Sequence, residues 1–237
     1  MKKILLLSAV AASSLFALTN EQILDFYKQI VPSNVKIEVA SRQKVENNTA
    51  YEAVILKVTE GDQSNDMVVF TRDDLIFNDI LDLKNMTNYK QVILDKMLAS
   101  KLKDVYKKED KKYIISLGDD AKKPTTVIFT DPECPYCRLE LANIEKRLVN
   151  ENVKMILTPV HDKSALEKSH LIYKEIASAK SDSEKVKIMR KYYDQNAVVP
   201  EKSVSEAEVK KMDDLRKKYF NAGVNSVPKI ISEDSLK

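Results

Sequence analysis

Two residues in this sequence stand out for the chemistry they could do. Cys134 and Cys137 are its only cysteines, and they lie in TDPECPYCRLE with Pro135 and Tyr136 between them. A thiolate attacks a disulfide sulfur, and a second thiol nearby can displace the mixed disulfide that forms. Pro135 suits the first turn of a helix, where its missing N–H costs nothing. Cys134 then sits at the helix N-terminus, under unpaired N–H groups and the positive end of the helix dipole. Cysteines so placed have pKa values lowered from about 8.5 to roughly 3.5–7.5. Glu133 works against this shift and Tyr136 adds no positive charge, so backbone dipoles are expected to stabilise the thiolate. Two other readings compete. A disulfide closing so short a loop gains little chain entropy and is a poor staple. A zinc site needs more ligands, and the only two histidines, His161 and His170, lack the usual spacing. Surface or packing roles are expected for both.

A second feature lies at Ser226-Val227-Pro228, just before an expected strand, Lys229–Ser232. A proline entering a strand forfeits a ladder hydrogen bond. In this place it resembles the cis-proline of the thioredoxin fold, which faces the active-site pair. Its use would be to present the Val227 backbone beside Cys134, where a substrate strand can pair.

The elements that must hold these residues can be read from periodicity. Asn20–Val31 has helical spacing, with Asn20 as a candidate N-cap. Val35, Ile37 and Val39 alternate with polar residues as in a half-buried strand. Tyr51–Thr59 and Met67–Thr71 read as a hairpin around the turn-rich EGDQSND, and short strand-like pieces follow. Helical spacing returns over residues 88–108. Tyr113–Gly118 and Thr125–Asp131 read as strands. The cysteine segment reads as one helix with Leu139, Ile144 and Leu148 inward. Val153–Pro159 reads as a strand, and helices are expected near 164–179, 183–195 and 205–221. This order is α/β in type. The expected organisation is a segment 1–17, an α+β unit 18–87, a linker helix 88–110 and an α/β unit 111–237.

The N-terminus, MKKILLLSAVAASSLFA, has the layout of a cleavable secretory signal peptide: a short basic end, an apolar run and small residues. The run is short for a membrane span, which needs roughly 20 apolar residues. An exported protein is expected, and an oxidising compartment permits disulfide chemistry. Composition is that of a globular chain, 43% hydrophobic and 32% charged, with a net charge of +3. Positive and negative residues are interleaved, so nucleic acid is not an expected partner. The three glycines form no phosphate-binding loop.

With these features together, the chain resembles the periplasmic thiol:disulfide interchange proteins of the DsbC/DsbG type. Phe129-Thr130-Asp131 before CPYC, and Gly223-Val224 before Val227-Pro228, resemble that family's catalytic domain. Ile128 stands where thioredoxin and DsbA carry a buried acidic residue, as in DsbC-type proteins. The resemblance implies a thioredoxin-like domain with a helical insertion, and an N-terminal dimerisation domain making a V-shaped homodimer. It implies a protein disulfide isomerase or reductase, with Cys134 as nucleophile and Cys137 resolving. Val227 and Pro228 would dock substrate, with Pro135, Tyr136 and Asp131 as active-site context. No cofactor or metal is implied beyond the redox-active cysteine pair. Implied partners are misfolded or thiol-containing exported proteins and a membrane protein that recycles the pair. Two departures stand out. Val227 replaces the family's threonine, as in DsbA-like oxidases, which raises a dimeric dithiol oxidase as the rival reading. After Pro228 the C-terminal strand and helix of the fold are short or missing, with only EDSLK after the strand Lys229–Ser232. A redox-independent holdase chaperone is the third reading.

Overall fold

The computed structural model describes residues 18–237, so the expected signal peptide lies outside the described residues. The chain divides into two compact units, with the boundary between Leu94 and Asp95.

In the first unit, helix α1 (Asn20–Ile30) is followed by strands β1 (Val35–Lys44), β2 (Glu52–Glu60), β3 (Gln63–Arg72) and β4 (Leu75–Phe77). These strands form an antiparallel sheet in sequence order. The α1 face carrying Ile23 and Tyr27 packs on Val54, Leu56 and Val69. Its N-cap is Thr19, not the expected Asn20. The Thr19 hydroxyl accepts from Gln22 N, and the Gln22 side chain accepts from Thr19 N, which makes a capping box. The β2–β3 turn is also tighter than EGDQSND suggested. Glu60 pairs with Gln63, so only Gly61 and Asp62 turn the chain. Gly61 makes this possible with φ +56°, a conformation that costs glycine little. Short strands β5 (Leu81–Asp82) and β6 (Thr87–Asn88) pair before helix α2 (Tyr89–Lys107), which runs across the boundary between the units.

The second unit is built on a four-stranded sheet. Its strands are β7 (Ile115–Leu117), β8 (Thr125–Thr130), β9 (Asn152–Leu157) and β10 (Lys229–Ser232), in the order β10-β8-β9-β7. Strands β8 and β9 are parallel, and the other two pairs are antiparallel. Between β8 and β9 lie α3 (Pro135–Ala142) and α4 (Ile144–Leu148), where one continuous helix was expected. The break is at Asn143, whose φ/ψ of −100°/9° leaves the helical region. Three helices follow β9: α5 (Lys163–Ile176), α6 (Asp182–Tyr193) and α7 (Glu206–Asn221). They form the helical insertion before β10. A short 3-10 turn, Glu233–Leu236, follows β10.

Alternation along the strands makes two cores. Ile128 and Met155 point to one side and pack with Cys137, Leu141, Ile144 and residues of α5 and α6. Val127, Phe129 and Ile156 point to the other, against Leu102 and Tyr106 of α2 and Leu215 and Tyr219 of α7. Helices thus cover both faces of the sheet, which suits the near-continuous apolar β8 and β9.

Candidate active site

The cysteine pair lies just past the C-terminal end of β8. Thr130 ends that strand, and Asp131 to Cys134 make the turn into α3, with Cys134 N donating to Asp131 O at 3.3 Å. Cys134 is the N-cap of α3, and Pro135 is its first helical residue. The Cys134 carbonyl accepts the first intrahelical bond, from Arg138 N at 3.0 Å. No side chain caps this helix end. The sulfur of Cys134 therefore sits at a helix N-terminus, as Pro135 implied.

The two thiols differ in setting. Cys134 keeps 6% of its surface accessible and Cys137 none. Cys137 belongs to the buried face of α3 and α4 together with Leu141 and Ile144. Burial pushes the Cys137 thiol up to about 12, and the neighbouring Cys134 adds to the rise. Hydrogen bonds to the Thr130 side chain and the Asp131 backbone oppose it. Leu139, expected inward, is 62% exposed, and Tyr136 is 71% exposed. On α3, Cys137 and Leu141 share the buried face at a spacing of four, and Leu139, two residues from each, lies on the other side.

Val227 and Pro228 meet the cysteine pair. The Val227–Pro228 peptide bond is cis, and Cys134 Sγ lies 3.6 Å from the Val227 carbonyl oxygen. The Val227 side chain packs partly buried against both cores of the unit. Pro228 leads directly into β10, whose pairing with β8 begins at Lys229 and Phe129.

Asp131 is fully buried, and its carboxylate ties two loops together. Oδ1 accepts from Glu133 N at 2.7 Å, and Oδ2 accepts from Val160 N at 2.8 Å and His161 N at 3.1 Å. His161 Nδ1 also lies 2.7 Å from Oδ2, which makes this nitrogen the protonated one. His161 was expected to have only a surface or packing role. It joins the site through Asp131, a link that no spacing in the sequence signals.

Two further residues, Tyr193 and Lys168, were not found from the sequence. The Thr130 hydroxyl pairs with the buried Tyr193 OH at 2.9 Å, behind Cys137. Lys168 Nζ lies 2.9 Å from Glu133 Oε1. The Glu133 carboxylate, read as an unbalanced charge beside Cys134, is therefore paired. Lys168 has a signal in the sequence: it falls at helical spacing among Ala165, Leu166 and Ile172 on the buried face of α5. A lysine in such a row needs a partner. Among the described residues, no group of three or more histidine, cysteine, aspartate or glutamate side chains is placed to hold a metal ion.

No protein-family model matches the chain, and no curated protein sequence matches it. Solved structures do. The structure described in "Structural and functional characterization of Helicobacter pylori DsbG" is similar over 88% of this chain and 97% of that one, at 20% identity and a TM-score of 0.53. A linker-deletion mutant of Proteus mirabilis ScsC is similar over 61% and 78% of the two chains, at 14% identity and a TM-score of 0.43. The thiol-disulfide exchange protein alpha-DsbA2 from Wolbachia pipientis is similar over 59% and 87%, at 15% identity and a TM-score of 0.40. The chain has a thioredoxin-like fold, similar to that of Helicobacter pylori DsbG.

Proposed function

We propose that this protein is a thiol–disulfide oxidoreductase acting on other exported proteins, as a disulfide isomerase or reductase. The observation that carries the reading is the meeting of Cys134 Sγ with the Val227 carbonyl at the N-terminus of α3. The Cys134 thiolate attacks a substrate disulfide. One S–S bond breaks, a mixed disulfide forms, and the released substrate thiolate takes a proton. Cys137, one helical turn on, gives up its proton and attacks Cys134 Sγ. The products are a Cys134–Cys137 disulfide and a substrate reduced by two electrons. In isomerisation, a second substrate thiol displaces Cys134 instead, with no net electron transfer. The buried Cys137 holds its proton tightly, which favours a mixed disulfide that lasts long enough for that route.

The protein needs no cofactor in this reading, only a membrane protein that resets the pair. Periplasmic placement rests on the signal-like N-terminus. None of the described helices is long and apolar enough to cross a membrane. Assembly as a homodimer through the N-terminal unit is part of the proposal, supported by the exposed Leu75, Leu81, Leu83 and Met86 of that unit.

One observation favours a second reading. Val227 presents an apolar side chain where a threonine could offer a hydroxyl, which suits a dimeric dithiol oxidase. The reduction potential of the pair, measured in glutathione buffers together with refolding of scrambled ribonuclease, separates the two. Isomerase activity at a potential near about −180 mV or below supports the first reading. A potential near about −120 mV with no isomerase activity replaces it with the oxidase.

A further inference from the structure

Glu133, the residue before the nucleophile, is held through each of its polar groups. Its N–H donates to Asp131 Oδ1 at 2.7 Å. Its carbonyl accepts from Arg138 Nη2 at 3.2 Å. Its carboxylate meets Lys168 Nζ at 2.9 Å. These partners come from the end of β8, from α3 and from α5. The Lys168 side chain is only 7% exposed, and Glu133 is its partner. A buried ammonium is costly to desolvate, and losing its partner would leave an uncompensated charge inside the protein. A methionine of similar length would fill that place in an apolar core without this cost. The charge therefore has a use other than packing.

Resting on the thiol–disulfide reading above, we propose that Lys168 is a positioning residue for the cysteine pair. It pins Glu133 at the entry to α3 and cancels the carboxylate charge that would otherwise stand next to Cys134. Remove the ammonium and the carboxylate remains, one residue from the sulfur, opposing the thiolate. Remove both and the local charge balance returns. The other charged or titratable groups around this turn are Cys137, Asp131 with His161, Arg138 and Tyr136, and they are the same in every variant below.

The test is the pH dependence of Cys134 alkylation by iodoacetamide in the full chain, followed by mass spectrometry. Lys168→Met is expected to raise the midpoint, because an unpaired carboxylate nearby opposes the thiolate. Lys168→Arg should keep the wild-type midpoint. Glu133→Gln added to Lys168→Met should bring it back. Should Lys168→Met fail to fold, Lys168→Gln removes the same charge and carries the same expectation. A midpoint that stays put in the folded variants lacking the ammonium overturns the proposal, as does one that stays raised after Glu133→Gln is added. Exchange of the wild-type protein with oxidised glutathione is measured alongside. Failure there strikes the thiol–disulfide reading, whereas normal exchange with an immobile midpoint strikes only the role of Lys168.

Discussion

Cys134 Sγ and the carbonyl oxygen of Val227 lie 3.6 Å apart, although 93 positions separate them in the sequence. The contact joins the helix that starts at Pro135 to the strand that follows Pro228. Between them in sequence lie α4, β9 and the three helices of the insertion, and the pairing of β10 with β8 brings the two ends together. In the proposed reaction, a substrate strand lying along Val227 would present its own sulfur to Cys134.

Stability of the reduced protein should fall in alkali because of Cys137. Its thiol is raised by burial from about 9 to about 12. A raised group contributes stability in full below its unfolded pKa, and that contribution is lost as pH rises through the folded value. Urea unfolding of the reduced protein between about pH 8 and pH 11 should show a steeper loss than Cys137→Ala, in which this group is absent. Equal slopes would show that Cys137 does not face the apolar core as described.

Asp131 and His161 should differ sharply in stability cost. Asp131→Asn places an amide where three backbone N–H groups converge, and the expected loss is about 2–4 kcal/mol. His161→Ala removes a half-exposed ring and leaves the backbone bonds in place. Its cost should stay under about 1 kcal/mol. Chemical denaturation of both variants checks the order, and a larger loss for His161→Ala would reverse it.

Thr130→Val should cost about 1–3 kcal/mol, because the Tyr193 hydroxyl is buried and loses its partner. Adding Tyr193→Phe should recover part of that loss, since the Tyr193 hydroxyl is then no longer left unpaired, while Cys137 still lacks its bond to Thr130. A double-mutant cycle by thermal or urea unfolding measures the coupling. Purely additive losses would mean that the two hydroxyls do not depend on each other.

In the first unit, Ile23 is fully buried between α1 and the sheet. Ile23→Ala should destabilise that unit by about 2–5 kcal/mol through the cavity left behind. Protease sensitivity should then rise within residues 18–94 before it rises at the cysteine helix. Uniform sensitivity along the chain would argue that the two units unfold together.

Much of this is legible in the sequence, for physical reasons that differ by element. β10 spans Lys229–Ser232 as read, with the β-branched pair Ile230-Ile231 at its centre directly behind a proline. Apolar spacing over 88–108 places α2 within a residue at each end, whereas the linker helix expected over 88–110 runs three residues past its end. Pro135 locates the start of α3, since proline is favoured only at a helix's first turn. Sequence and structure part where tertiary contacts decide. Polar Gln63 to Asp66 look like turn residues, yet the sheet extends through them by cross-strand pairing with β2. Leu139 looks like a core residue, yet the face defined by Cys137 and Leu141 turns it outward. In the site, Cys134 and Cys137 can be named because cysteine is chemically conspicuous, and Val227 and Pro228 because their place before a strand resembles the cis-proline of the thioredoxin fold. His161 and Tyr193 cannot, because their roles depend on which buried atoms the fold sets opposite them.

In the proposed reaction Cys134 is the sulfur that meets substrate, and trapping tests this directly. Full-length Cys137→Ala, reduced and mixed with a peptide disulfide, should accumulate a covalent adduct that peptide mapping by mass spectrometry places on Cys134. Cys134→Ala under the same conditions should form at least about a hundredfold less, since Cys137 is enclosed and holds its proton. An adduct formed as readily on Cys137 in that variant, or no adduct in either, would contradict the assignment.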